Sequence, residues 1–195
     1  TYLGDNAFAN CHNLKTLNIG SGLFEISESA FRNTGIQNLT IPENIRYISD
    51  EAFYCSAIET LTLNEGLEYI GEMAFVGCQN LTSVVIPDTV ETIDLGAFYK
   101  CTSLANVELG DGLKNLGSNA FMYCAITDLD LGNSIEVISP YAFEANDITG
   151  QFFPNSVTTI MYGAFMDCEE LTSIELPLSV NTIEFSAFAN CSNLT

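Results

Sequence analysis

The chain has 195 residues, of which 47% are apolar, and it carries 25 acidic against 5 basic side chains, a formal net charge of −20. The apolar content excludes wholesale disorder and supplies a core for one substantial domain. The scarcity of Lys and Arg excludes nucleic acid and disfavours anionic membrane surfaces as partners, because both require clustered bases. No apolar run of 18 residues occurs, so we expect no membrane insertion by this segment.

An Ala-Phe dipeptide recurs along the whole chain. It occurs nine times at spacings of 22 or 23 residues, from Ala7-Phe8 to Ala187-Phe188. The other apolar positions keep the same phase, as in residues 74–93 (AFVGCQNLTSVVIPDTVETI). This period falls within the roughly 20–29 residues of leucine-rich repeats. The pattern predicts a single repeat solenoid over residues 1–195, with about eight full repeats plus a partial one and both ends cut within a repeat.

Each repeat contains a short predicted strand after the Ala-Phe dipeptide. Leu81, Val84 and Ile86 illustrate its apolar spacing, and the alternation at its end marks a strand with one buried face. Strands of successive repeats should stack in parallel about 4.8 Å apart and form one β ribbon on one face of the solenoid. Two further apolar positions, Val90 and Ile93 in this repeat, mark the return path.

The Ala-Phe segment is predicted to form a short helical turn on the face opposite the ribbon. Three residues before the alanine, seven of the nine repeats carry Gly, Ser or Asp, which are residue types that cap helix N-termini. Pro140, directly after Ser139, suits the first position of such a helix.

The pattern AFxxCxxLxxIxIPxxVxxI resembles the BspA-like leucine-rich repeat family, and the resemblance extends from Ala7-Phe8 to Leu194. The resemblance implies a cell-surface or secreted protein of host-associated microbes that serves in adhesion, but it does not imply a particular ligand. Two features depart from the pattern. Thr34 and Asn146 replace the cysteine, and Gln151 stands where a buried Leu or Ile is expected.

Six of the seven cysteines fall three residues after the phenylalanine, and Cys55 lies one residue earlier. Stacking of the repeats would bring neighbouring thiols within disulfide range, and a secreted setting permits bridging. However, the count is odd and the position behaves as a small apolar core site, so we expect free, buried thiols. The cysteine spacings do not suggest zinc, and we predict neither a metal centre nor a cofactor.

The lone histidine, His12, lies in a variable stretch and is expected to be solvated. A nucleophilic triad or dyad would need partners held by a pocket, and a ribbon of similar repeats supplies none. The sequence therefore predicts a protein that is not an enzyme.

The outward-facing residues of the predicted strands are the candidate binding residues. The early half of the ribbon is neutral and rich in hydroxyl groups, whereas the later half is acidic around one aromatic residue. An exposed Phe among carboxylates would suit a basic or amphipathic partner. In the alternative interpretation the acids only confer solubility, and the strand slips near Gln151 so that Phe152 turns inward. The candidate binding residues are Val85, Glu108, Asp128, Asp130, Phe152 and Glu175.

Two columns of larger side chains form a second candidate surface. One column follows the phenylalanines, and a shorter one comprises Tyr47 and Tyr69. These side chains could contact a ligand, but partial burial against the next repeat is the expected arrangement. The first column consists of Tyr54, Val76, Tyr99, Met122 and Met166.

These observations favour a non-catalytic binding module for an extracellular protein or glycan, and the acidic residues would suit a basic partner. The alternative is a passive spacer that presents another domain of a longer chain. The resemblance places either of them at the cell surface or outside the cell.

Overall fold

The computed structural model describes residues 1–195, and the chain winds as a solenoid in which each turn contributes two short parallel strands. The even-numbered strands form the predicted ribbon, and the odd-numbered strands form two further sheets on the return path. The strands are β1 (Glu25–Ile26), β2 (Asn38–Ile41), β3 (Tyr47–Ile48), β4 (Thr60–Leu63), β5 (Tyr69–Ile70), β6 (Ser83–Val85), β7 (Thr92–Ile93), β8 (Asn106–Glu108), β9 (Asn115–Leu116), β10 (Asp128–Asp130), β11 (Val137–Ile138), β12 (Gly150–Phe152), β13 (Thr159–Ile160), β14 (Ser173–Glu175) and β15 (Thr182–Ile183). No helix capable of spanning a membrane is present.

Equivalent residues of successive turns are aligned across the ribbon. Leu39 is paired with Leu61, and Val84 is paired with Val107, so that each inward position continues an apolar column. The hydrogen-bonded ladder of the ribbon has three parts, β2–β4, β6–β8–β10 and β12–β14. The predicted leucine-rich repeat solenoid with a parallel ribbon is confirmed.

The predicted helical turns are wrong, because the Ala-Phe segments form consecutive tight turns. In one repeat the N–H groups of Phe98 and Lys100 donate to carbonyls of the following turn, at 2.8 and 3.0 Å. The residues that alternate with these donate within their own segment: the Ala97 N–H, for example, donates to the Asp94 carbonyl at 3.2 Å. A helix would instead direct its N–H groups four residues back along the same segment.

These turns require positive φ two residues before and two residues after each phenylalanine. In the repeat of Phe98, Gly96 has φ 60° and Lys100 has φ 59°. The same geometry explains Pro140, because Pro suits the second position of a turn whose third residue has positive φ, here Tyr141 at φ 56°. The Gly, Ser and Asp residues that suggested helix caps therefore serve turns.

The phenylalanine rings form a continuous stack through the core. Neighbouring rings from Phe31 to Phe165 have centroids 5.0–5.6 Å apart and interplanar angles of 3–20°, within the range favoured by aromatic pairs. These side chains are almost completely buried. Each ring thus covers the next and replaces water over its faces, which gives every turn a dependence on its neighbours.

In seven of the nine repeats the residue three positions after the phenylalanine donates a hydrogen bond to the preceding turn. The Cys101 thiol donates to the Phe75 carbonyl at 3.2 Å, and the Ser56 hydroxyl reaches the Phe31 carbonyl at 2.8 Å. Asn146, which departs from the cysteine pattern, donates from its amide to the equivalent carbonyl one turn back at 2.9 Å. The position therefore selects a small donor. The other thiols that make this bond are Cys78, Cys124, Cys168 and Cys191.

All seven thiols are free, as predicted, and five of them are buried. The expectation of burial is wrong for Cys11 and Cys55, which are exposed. Burial raises the pKa of the Cys124 thiol to about 12 and that of Cys101 well above its usual value. The same cause raises the pKa of Cys78 and Cys168 to about 12 and that of Cys191 above its usual value. The buried thiols therefore remain protonated donors at neutral pH.

Replacement of one ring in the stack should weaken the whole solenoid. Because Phe98 is completely buried, we expect Phe98→Ala to lower the free energy of unfolding by about 3–5 kcal/mol, measured by urea denaturation. Phe152→Ala is the matched control, since Phe152 is 66% exposed, and should change stability by less than about 0.5 kcal/mol. Equal effects of the two substitutions would contradict the stack as the main source of stability.

Thiol reactivity should separate the two classes of cysteine. When the native chain is treated with an alkylating reagent at about pH 8, only Cys11 and Cys55 should react rapidly, because the buried thiols are inaccessible and protonated. The chain unfolded in denaturant should react at all seven. A Cys11→Ser, Cys55→Ser double variant that still reacted rapidly in its native state would show that the buried thiols are accessible.

The same thiols should make the fold sensitive to alkali. Their pKa is near 9.0 when unfolded and is raised to about 12 in the native state for Cys78, Cys124 and Cys168. Their contribution to stability is therefore fully present below pH 9 and is lost as the pH rises toward about 12. Urea denaturation across this pH window should show the free energy of unfolding falling as the pH rises. A Cys124→Ser variant should lose less stability over the same pH range.

Candidate functional site

The structure places all six candidate residues on the exposed side of the ribbon. Val85 on β6 is 58% exposed and Phe152 on β12 is 66% exposed. The four carboxylates are exposed on β8, β10 and β14. We call this surface, from Val85 to Glu175, the acidic ribbon face.

Phe152 points outward because the strand keeps its register. Gln151 is paired with Ile174, and Phe152 is paired with Glu175, as the repeat alignment requires. Gln151 therefore takes the inward position and is 5% exposed. The alternative interpretation, in which the strand slips and buries Phe152, is wrong.

The acidic ribbon face has no compensating positive charge. Glu108 lies directly opposite Asp130 on the neighbouring strand, where like charges repel. The three ion pairs of the protein lie elsewhere, and no Lys or Arg occurs after Lys114. The repulsion is not required by core packing, so the charge is available to a ligand.

The ladder of the ribbon is interrupted within this face, between β10 and β12. The two strands belong to separate hydrogen-bonded groups, and few of their Cα atoms lie within 8 Å of the facing strand. The ladder is also interrupted between β4 and β6, but those two strands remain within 8 Å of each other. Paired strands are about 4.8 Å apart. The two turns remain joined at the other edge, where the Phe121 N–H donates to the Ala142 carbonyl at 2.9 Å. The solenoid is therefore opened on its ribbon side at this junction.

Gln151 provides the local reason for the interruption. Its Nε2 donates to the carbonyl of Phe152 at 2.6 Å, and its Oε1 is buried without a hydrogen-bond partner. At the next junction along the chain the equivalent carbonyl, that of Glu175, accepts the Phe153 N–H at 3.2 Å. The side chain of Gln151 thus occupies an acceptor that the ladder uses elsewhere.

The opening forms a cleft of about 380 Å³. One wall carries Asp128 and Asp130, and the other carries Phe152 and Pro154. Two smaller clefts of about 280 and 250 Å³ continue along the same face around Glu108 and Asp130. Carboxylates, an exposed aromatic ring and strand edges therefore meet at one place.

The tyrosines of the return sheet line another cleft, of about 480 Å³. The Tyr47 hydroxyl donates to Glu68 at 3.2 Å, and the Tyr69 hydroxyl donates to Asp94 at 2.7 Å. Burial and the bond to Asp94 raise the pKa of Tyr69 well above its ordinary value. The hydrogen bond to Glu68 raises the pKa of Tyr47. Both hydroxyls are therefore used within the protein.

The expected partial burial of the two columns of larger side chains is confirmed. Tyr47 and Tyr69 are half-buried, and the Arg32 guanidinium lies 4.4 Å from the centroid of the Tyr54 ring. In the longer column Val76 is buried, and the other members are half-buried.

The residue types used in metal and nucleophilic chemistry are dispersed along the chain. His12 is exposed in the first turn, and no three His, Cys, Asp or Glu side chains are grouped as a metal site requires. The buried cysteines are engaged as hydrogen-bond donors to main-chain carbonyls. What remains at the acidic ribbon face is the capacity to bind by charge, apolar contact and main-chain hydrogen bonds.

Sequence reasoning missed the main-chain groups at the cleft. The N–H groups of Leu131 and Thr149 have no backbone acceptor, whereas the equivalent N–H groups of Leu109 and Thr127 in the preceding turn are paired. The signal in the sequence was Gln151, which differs from the apolar residues of the other repeats.

Comparison with known proteins identifies the repeat type. The model of the BspA-type leucine-rich repeat region matches residues 1–94 and 68–195. No curated protein matches the chain.

The solved structures similar to the chain are bacterial leucine-rich repeat proteins. One from Bacteroides ovatus has a TM-score of 0.68 at 24% identity, over 98% of this chain and 62% of that protein. The Treponema pallidum leucine-rich repeat protein has a TM-score of 0.67 at 23% identity, over 81% of this chain and 78% of that protein. A leucine-rich cell surface protein from Faecalibacterium prausnitzii has a TM-score of 0.61 at 28% identity, over 99% and 55% respectively.

The chain thus spans less than two thirds of the Bacteroides and Faecalibacterium proteins. Its strand order, its Ala-Phe turns and the family model that covers its length all agree. The chain belongs to the BspA-type leucine-rich repeat family.

Proposed function

We propose that this chain is a non-catalytic binding module of a microbial cell-surface or secreted protein, and that its acidic ribbon face binds a basic protein partner. Support for the location comes from the family and from the Faecalibacterium neighbour, which is described as a cell surface protein. Adhesion to host or other cells is the biological role that this proposal assigns to the chain.

The exposed side chain of Phe152 is the observation that carries the proposal. It is a large apolar group, 66% exposed, at the end of β12, and its partner residue on β14 is Glu175. Solubility alone would be served better by a polar residue at this position. Aromatic residues that become buried on binding, ringed by polar groups, dominate the energy of protein interfaces.

The charges of the face determine the kind of partner. Glu108, Asp128 and Asp130 lie on two adjacent paired strands without a basic neighbour on the ribbon. A basic surface would relieve the repulsion between these carboxylates. It would be attracted to them over the Debye length, which shortens as the salt concentration rises. A neutral glycan would gain nothing from this charge, so a protein partner is favoured over a glycan.

Binding of the purified chain to a panel of extracellular-matrix proteins, glycans and whole cells tests the proposal. We expect a saturable interaction with a basic protein that weakens as salt rises from about 0.15 M to about 0.5 M. The variant Glu108→Gln, Asp130→Asn, Phe152→Ala should bind at least about 30-fold more weakly, because one buried aromatic contact alone is worth about 2 kcal/mol.

The matched control is the variant Asn18→Ala, Thr40→Ala, Thr62→Ala, which changes the exposed column of the ribbon in its neutral half. It should bind like the unaltered chain. Interactions that survive the triple substitution on the acidic face would contradict the proposal, and a glycan as the only ligand would replace its choice of partner. A chain that bound nothing in the panel would favour the passive spacer.

A further inference from the structure

We propose that the cleft between β10 and β12 binds an extended basic polypeptide segment whose main chain hydrogen-bonds to the interrupted ladder. This inference rests on the proposed function, because it specifies how the acidic ribbon face holds its partner. It adds a mode of recognition, through the backbone, that charge and apolar contact alone do not imply.

The first step is the set of main-chain groups that the interruption leaves free. At the two preceding junctions the residue after the strand donates its N–H to the following strand: Ile86 donates to Glu108 at 2.8 Å, and Leu109 donates to Asp130 at 2.9 Å. The equivalent donor at this junction is Leu131, and its N–H makes no hydrogen bond to Phe152 or to any other backbone carbonyl.

The other end of the same junction shows the complementary loss. Thr127 N–H donates to the Ala105 carbonyl at 2.9 Å, and Thr172 N–H donates to the Thr149 carbonyl at 2.9 Å. By the same register Thr149 N–H should donate to the Thr127 carbonyl, and this bond is absent. The junction therefore leaves donors and an acceptor on facing strand edges, the groups to which added strands bind.

The second step is the room between the edges. Because few Cα atoms of β10 and β12 approach within 8 Å, these strands lie farther apart than the roughly 4.8 Å of a paired ladder, toward the roughly 9.6 Å that one intervening strand requires. The cleft volume of about 380 Å³ lies at this opening. The continuous stack at the Phe121–Phe143 edge, with ring centroids 5.6 Å apart, acts as the hinge that leaves the ribbon side open.

The third step is the side chain that keeps the cleft from closing. Gln151 is buried, donates to the Phe152 carbonyl at 2.6 Å and leaves its own Oε1 without a partner. An apolar residue at this position would free the Phe152 carbonyl for Leu131 N–H. A buried unsatisfied oxygen is costly to a fold, which is consistent with a position retained for a ligand.

The fourth step is the chemistry of the occupant. Asp128 and Asp130 stand on one wall of the cleft, and the exposed ring of Phe152 stands on the other. An extended segment places successive side chains on opposite sides. Alternating basic and apolar residues would therefore match a wall of carboxylates and an aromatic ring while the main chain supplies the missing hydrogen bonds.

A synthetic eight-residue peptide of alternating lysine and valine is the probe, tested by fluorescence anisotropy on the whole chain. Its analogue with alternate amides N-methylated keeps the charge but cannot donate those hydrogen bonds. We expect the unmodified peptide to bind at least about tenfold more tightly, which corresponds to about one main-chain hydrogen bond. Hydrogen exchange at Leu131 and Thr149 should slow when that peptide is bound.

Gln151→Leu should close the cleft, raise the melting temperature and weaken binding of the unmodified peptide at least about tenfold. The matched control, Val107→Leu, changes an inward residue of β8 and should leave peptide binding unchanged.

Equal binding of the two peptides, unaltered binding by Gln151→Leu, or no binding of either peptide would overturn the inference. The proposed function would still stand if a basic protein bound the unaltered chain and failed to bind the variant Glu108→Gln, Asp130→Asn, Phe152→Ala. If the protein and the peptide both bound that variant as tightly as the unaltered chain, the proposed function and this inference would both be overturned.

Discussion

The hydrogen bonds that run between the Ala-Phe turns are the interaction on which the rest of this solenoid depends. Because alternate N–H groups of each turn point to the next turn, as that of Phe98 does to Ala120, no turn satisfies its own backbone. The phenylalanine stack is the apolar counterpart of this ladder, and the donors three residues later join the same edge. Repeat length varies only in the segment between this donor residue and the ribbon. From the ribbon centre to the next phenylalanine the distance is 13 residues in every repeat, as from Glu108 to Phe121, so the extra residue of the longer repeats always lies between the phenylalanine and the ribbon.

The bonded Ala-Phe edge allows the residues of the ribbon to vary. Since adjacent turns are held at the Ala-Phe side, the ribbon can tolerate polar, acidic or aromatic residues on its outer surface, and even an interrupted ladder, without loss of the fold. The acidic ribbon face shows this tolerance at three levels: like charges opposite each other at Glu108 and Asp130, an exposed ring at Phe152, and a polar side chain at an inward position in Gln151. All three lie within a few strands of one another, whereas the neutral half of the ribbon has none of them.

Much of the fold could be predicted from the sequence, because the repeat period and the alternation of apolar residues report directly on strand register. The same alternation placed Phe152 outward and Gln151 inward. The Ala-Phe turns were mistaken for helices because Gly, Ser and Asp suit both helix caps and tight turns, and composition does not distinguish the two. The donor role of Cys101 was hidden behind its small apolar character. The opening between β10 and β12 depends on which acceptor the amide of Gln151 reaches, and this is a matter of geometry that no residue pattern encodes.

The opening also has a mechanical meaning. Under the proposed function the chain would be pulled between a cell and another surface, and a repeat array under tension along its axis yields first where the fewest bonds join two turns. Between β10 and β12 the ribbon ladder is absent, but the same two turns are joined by the Ala-Phe edge and by the paired return strands β11 and β13. Under load the two turns would therefore tilt apart on the ribbon side and stay joined on their other sides. An extended segment lodged in the opening would bridge the two ribbon edges and stiffen the joint, so that engagement of a partner and resistance to pulling would reinforce each other.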